Sequence, residues 1–333
     1  SIRLFRNRFK IPVSNEEIAS LPYYHPGEDS EEIKYMQERR KALGGYLPQR
    51  RVESNSLEVP PLEAFQSLLK DTGEREISTT MTYVRALAIM LRDKNIAKHI
   101  VPIVADEART FGMEGMFRQL GIYSSSGQMY SPVDSDQLMF YKEDMKGQIL
   151  QEGISEAGAM SSWIAAATSY ANTGVPMIPF FIFYSMFGFQ RIGDLAWAAG
   201  DLRARGFLLG GTSGRTTLNG EGLQHEDGNS HVISSMVPNC VSYDPTFSYE
   251  LAVILQDGMR RMYQDEEDVY FYITVMNENY THPGMPVGAE EGIRKGLYQF
   301  RAGRSGKHSA QLMGSGAILR EVIAAAEILE RDY

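Results

Sequence analysis

The chain has a single cysteine, Cys240, among 333 residues. One thiol cannot build a disulfide framework or a cysteine metal cluster, and such economy fits a reducing compartment, here taken as the cytoplasm. Positive charge is also in short supply: 33 Lys and Arg stand against 42 Asp and Glu, giving a net charge of −9. The acidic excess is spread along the chain, which argues against a nucleic-acid surface. Long hydrophobic runs are missing, because the most apolar stretch, 175–189, is broken by Pro176 and Pro179 and is too short to span a bilayer. The start, SIRLFRNRFKIPV, has no apolar signal core and no initial Met, so either it is processed or the chain is a piece of a longer one. Internal repeats and low-complexity tracts are lacking too. What is present is a globular composition, 43% hydrophobic, enough for one large core or two smaller ones.

Residues 1–76 read as a linker with short helices. Ser14-Asn15-Glu16-Glu17 is a helix-start signal, and Ser30 to Leu43 reads as a charged helix stopped by Gly44-Gly45. From Ile77 the texture changes to alternating helix and strand, which predicts a doubly wound, mostly parallel α/β sheet over 77–295. The expected strands are 100–105, 148–154, 177–184, 207–210, 240–243 and 269–275. The expected helices include one after Ser78 whose apolar positions Met81, Val84, Leu87, Ala88 and Leu91 follow helical spacing, then 157–170, 193–205 and 247–263. Residues 296–333 read as the opening of a truncated C-terminal domain, with a strand at 309–314 and a long helix from Ala317.

In an open parallel sheet, ligands bind at the carboxyl edge, where strands hand over to helices. Glu156 falls at such a joint, where the helix dipole also favours a carboxylate. A helix-start glutamate needs no function in itself; only neighbours at the same edge give it one. Those neighbours are Asp106-Glu107 after the first strand, Tyr184 to Phe189 after the third, and the glycine-rich 211–231 segment. Asp106 and Glu107 also suit a surface ion network, and Tyr184 and Phe187 suit the core. His225, near Glu226, Asp227 and His231, has the titration range for proton transfer, whereas no metal-binding H-E-x-x-H spacing occurs there. The glycines at 210–222 match neither phosphate-loop pattern.

The segments ADEARTFGMEGMFRQLGIYS, QEGISEAG, PFFIFYSMFGFQRIGDLAWAAGD, GGTSGRTTLNGEGLQHEDG and MNENYTHPGMP together resemble the bacterial homodimeric type of pyruvate dehydrogenase, in its decarboxylating first component. The resemblance implies a transketolase-like, pyrimidine-binding domain of a thiamine diphosphate enzyme. It implies that Glu156 hydrogen-bonds N1′ of the cofactor's aminopyrimidine, that Phe187 stacks on that ring and that Ile154 makes an apolar contact. Glu107, Tyr184, Glu221 and His225 would line the substrate side. The implied partners are pyruvate, a second subunit of a homodimer and the lipoyl domain of the dihydrolipoyl acyltransferase, without nucleic acid or membrane. The resemblance also implies a diphosphate bound through Mg²⁺ by a Gly-Asp-Gly segment with an Asn pair about thirty residues later; this chain lacks Gly-Asp-Gly, and Gly193-Asp194 is the nearest and falls in a helix. The diphosphate-binding domain is therefore expected before residue 1, and this stretch alone is expected to be inactive. Competing readings are a related thiamine diphosphate enzyme acting on another 2-oxo acid, or a non-catalytic dimerisation module.

Overall fold

A computed structural model describes residues 2–45, 54–105, 108–212, 222–304, 306 and 308–332. Two compact units emerge, 1–50 and 51–333. In the first, helices span Ile2–Arg8 and Glu31–Ala42, and neither buries a residue. Ser30 caps the second helix, its side chain accepting from Ile33 N. At Ser14 the expected start signal is realised reciprocally: Ser14 Oγ accepts from Glu17 N at 3.1 Å, and Ser14 N donates to Glu17 Oε2 at 3.0 Å. It opens only a short 3₁₀ turn, Glu17–Ser20.

The second unit is built on strands β1 (Ile100–Val104), β2 (Ile122–Tyr123), β3 (Glu143–Asp144), β4 (Leu150–Gln151), β5 (Ile178–Tyr184), β6 (Phe207–Gly211), β7 (Cys240–Tyr243) and β8 (Tyr270–Thr274). Six form one sheet in the order β4-β1-β5-β6-β8-β7, and every pairing in it is parallel. The short β2 and β3 pair separately. Parallel strands buried on both faces read as continuous apolar runs, as IVPIV in β1 and IPFFIFY in β5 do.

Alternation along the strands assigns each helix to a face. Phe180, Phe207 and Phe271 share one face, with Phe180 stacked on Phe207 at 4.7 Å. Tyr83 of the Thr79–Met90 helix meets Phe180 there, and Gly258 of the Ser248–Met259 helix packs on Phe207. On the other face Phe183 stacks on Tyr272, and the rings of Phe189 and Trp163, from the Ser185–Asp201 and Glu156–Ala167 helices, meet Tyr272 and Tyr270. Each such buried ring contributes roughly 1.5–3 kcal/mol by apolar burial.

Several expected elements shift. The Thr79–Met90 helix buries Thr79, Thr80, Thr82, Tyr83, Ala86, Leu87 and Met90, while Met81 is exposed. Two of these threonines are inward with hydroxyls that find partners: Thr82 Oγ1 lies 2.9 Å from Ser248 Oγ, and Thr79 Oγ1 accepts from Met276 N at 2.8 Å. The strand expected at 148–154 shrinks to β4, and the helix expected from Gly193 begins at Ser185, directly after β5. Residues 309–314 form no strand; the Ile318–Asp332 helix follows them. Among the described residues no helix is long and apolar enough to cross a membrane.

Candidate active site

The chain order reverses at β1: its neighbours are β4 on one side and β5 on the other, so the carboxyl ends of these three strands open a crevice. Ala105, Phe111, Ile154, Glu156, Phe183 and Tyr184 line a small recess there. Glu156 is the first residue of its helix, fixed by Ser155, whose side chain accepts from Gly158 N. Its carboxylate is only 14% exposed and is ion-paired to Arg191, which is 48% exposed. Phe187 and Arg191 occupy the same helix one turn apart, and the guanidinium lies over the Phe187 ring at 4.5 Å.

His225 ends the 3₁₀ turn Leu223–His225 and packs edge-to-face against both Tyr184 and Phe187, each at 4.9 Å between ring centroids. Phe111 approaches Tyr184 from the β1 side at 5.5 Å. Five of the residues singled out in the sequence, Ile154, Glu156, Tyr184, Phe187 and His225, thus gather at one sheet edge. Glu107 and Glu221 lie outside the described residues.

Behind His225 the fully buried Asp227 anchors the segment. Its carboxylate accepts from Ser230 Oγ at 2.6 Å, Ser230 N at 3.0 Å and Asn229 N at 3.2 Å. Burial pushes its pKa up, but hydrogen bonding, from Ser230 first and then Ser185 and Asn229, outweighs this and holds it below the usual carboxylate value. His231 turns the other way: its Nε2 lies 2.8 Å from Thr274 Oγ1, which donates to Asp244 Oδ1 at 2.6 Å.

The profile of the family described as pyruvate dehydrogenase E1 component, middle domain, matches residues 57–283. The chain belongs to this family. The pyruvate dehydrogenase E1 components of Cupriavidus necator and Pseudomonas aeruginosa are each 63% identical to it over 100% of this chain. That of Escherichia coli K12 is 60% identical, again over the whole chain. Each match takes in 38% of the relative, so the chain spans little more than a third of the length of these E1 components. A Pichia stipitis transketolase solved with xylulose 5-phosphate aligns with a TM-score of 0.57 at 13% identity, over 95% of this chain and 39% of that one. That likeness shows the fold, the transketolase-like α/β sheet expected from the sequence.

The E1 middle-domain match takes in all six strands of the sheet and every residue of the crevice described above. Three of those residues escape a reading of the sequence. Arg191 looks like a surface cation until the helix is known to begin at Ser185, which places it one turn from Phe187. Asp227 passes for a loop acid, and Phe111 for a core ring. Gly193-Asp194, the nearest approach to a magnesium motif, lies inside the Ser185–Asp201 helix. Among the described residues no group of three or more His, Cys, Asp or Glu side chains is arranged to hold a metal ion.

Proposed function

We propose that this chain carries the pyrimidine-binding half of the catalytic site of a pyruvate dehydrogenase E1 component, which decarboxylates pyruvate on thiamine diphosphate and reductively acetylates lipoyl groups of the dihydrolipoyl acyltransferase. The observation that carries the reading is the meeting of Glu156 and Phe187 at the carboxyl edge of β4, β1 and β5, where both engage one flat, nitrogen-edged cation. A carboxyl group beside an aromatic face also suits an aminopyrimidine, so the residues fit the cofactor ring. When bound, thiamine diphosphate supplies a thiazolium carbon that adds to a 2-oxo acid and accepts the electrons released with carbon dioxide.

Each side chain has a task in this reading. Glu156 shares a proton with ring nitrogen N1′, Phe187 offers its face to the ring and Ile154 adds an apolar contact. Tyr184 and His225 aim donors at the substrate's carboxylate or at the oxygen on which negative charge develops. Glu107 and Glu221 belong to the substrate side on the strength of the sequence resemblance. Among the described residues no side-chain cluster fits a Mg²⁺ site.

The same reading takes 1–76 as a linker, 77–295 as the pyrimidine domain and 296–333 as the start of a further domain, within a cytoplasmic homodimer. Its test is Glu156→Gln in the full-length enzyme. The variant folds normally, but an amide cannot pass a proton to N1′, so exchange of the cofactor's C2 proton slows on the order of a hundredfold or more. Exchange at the wild-type rate, followed by NMR, removes Glu156 from the chemistry.

A further inference from the structure

Arg191 sits across both groups that the cofactor reading gives to the aminopyrimidine. Its guanidinium donates to Glu156 Oε1 and lies over the Phe187 ring at 4.5 Å. A guanidinium is flat, carries N–H donors in its plane and stacks on aromatic faces. An aminopyrimidine held by the same pair is recognised through the same features: a nitrogen edge toward the carboxyl group and a flat face toward the ring. The recess beside Glu156 has room for little more than a water molecule, so a heterocycle enters only by displacing something. Exposure shows which partner gives way. Glu156 is only 14% exposed, whereas 48% of the Arg191 side chain faces solvent.

We infer that Arg191 is a built-in stand-in for the cofactor's aminopyrimidine. In the cofactor-free chain the guanidinium keeps the Glu156 carboxylate partnered and the Phe187 ring covered, and it swings out to solvent when the heterocycle arrives. Arg191 is thus a positioning residue. It holds the site in a bound-like arrangement at the cost of competing with the ligand, because only the displaced fraction of the protein can bind. This inference rests on the proposed cofactor reading.

The test compares Arg191→Gln and Arg191→Lys with wild type in the full-length enzyme, titrating apo-protein with thiamine diphosphate and Mg²⁺ and following association by stopped-flow fluorescence. Removing a half-exposed ion pair and a cation–π contact tightens Kd about three- to tenfold and speeds association. Arg191→Lys keeps the charge but loses the flat stack, so it tightens Kd by less. With Glu156→Gln already in place, Arg191→Gln changes Kd less than it does in wild type. An unchanged or weaker Kd in Arg191→Gln overturns the inference, as does a weaker Kd in Arg191→Lys should the glutamine variant not fold. If Glu156→Gln slows C2 exchange but Arg191→Gln fails to tighten binding, only the stand-in falls. If Glu156→Gln leaves both exchange and Kd at wild-type values, the cofactor reading falls with it.

Discussion

His225 presents its ring to Tyr184 and Phe187 at the mouth of the crevice, whereas His231 is tied through Thr274 to Asp244 behind it. The two histidines therefore answer to different measurements. His225→Ala in the full-length enzyme lowers pyruvate turnover on the order of ten- to a thousandfold, the usual effect of losing one transition-state donor. Its cofactor affinity and melting temperature stay near wild type. His231→Ala removes a partner of Thr274 and costs about 1 kcal/mol of stability, with little loss of turnover. Equal losses of turnover at both positions, accompanied by lower melting temperatures, would show that the segment needs its histidines for folding and would strip His225 of a chemical role. Asp227→Asn tests the anchor below. The asparagine Oδ1 can still accept from Ser230 N and Asn229 N, but its amide nitrogen cannot accept from Ser230 Oγ as the carboxylate Oδ2 does, so thermal melting should reveal a loss of roughly 0.5–1.5 kcal/mol.

The Ser185–Asp201 helix carries both Phe187 and Arg191, and its seating on the sheet depends on Gly188. A Cβ there would stand 2.0 Å from Phe183 Cε2 and 2.4 Å from Cδ2. Phe183 is itself buried between Phe181, at 4.9 Å, and Tyr272, so the ring cannot retreat cheaply. Gly188→Ala therefore destabilises the chain by about 1–3 kcal/mol, read as a lower urea midpoint, and weakens cofactor binding by displacing Phe187. A midpoint at the wild-type value would mean that the helix has slack. This contact also explains what the sequence conceals. Gly188 and Gly193 look like breaks, and the apolar run through β5 continues into the helix without a turn, so the element boundary leaves no trace. The sheet itself is legible, because β1, β5, β6 and β8 are short β-rich runs between helical stretches. Glu156 and Phe187 are legible only through the resemblance of whole segments, while Arg191 depends on a helix register that periodicity misplaces. Thr79 and Thr82 of the Thr79–Met90 helix are hidden for another reason: a hydrophobic pattern cannot see a polar group whose hydrogen bond is made at the far end of the chain.

His282 draws distant parts of the chain together. Its Nδ1 accepts from Ser248 N at 2.9 Å, its Nε2 donates to Ile77 O at 2.9 Å, and its ring stacks on Tyr280 at 4.6 Å. Burial holds its pKa below the usual 6.5, and Arg320 and Arg85 push the same way against the Ile77 bond. The unfolded chain therefore takes up a proton that the folded chain refuses. Stability from neutral His282 is complete above about pH 6.5 and is lost as pH falls toward the lowered value, at up to about 1.4 kcal/mol per pH unit. Urea unfolding at about pH 8 and about pH 5.5 should show this loss, and His282→Gln, which cannot titrate, should flatten it. An equally steep loss in the variant would assign the effect to other groups. At the scale of the whole sheet, both margins are brief: β4 has 2 residues and β7 has 4. Such margins offer few unpaired N–H and C=O groups to a passing strand. A strand laid along either margin would thus gain only a few ladder hydrogen bonds, too few to hold it there without help from side chains.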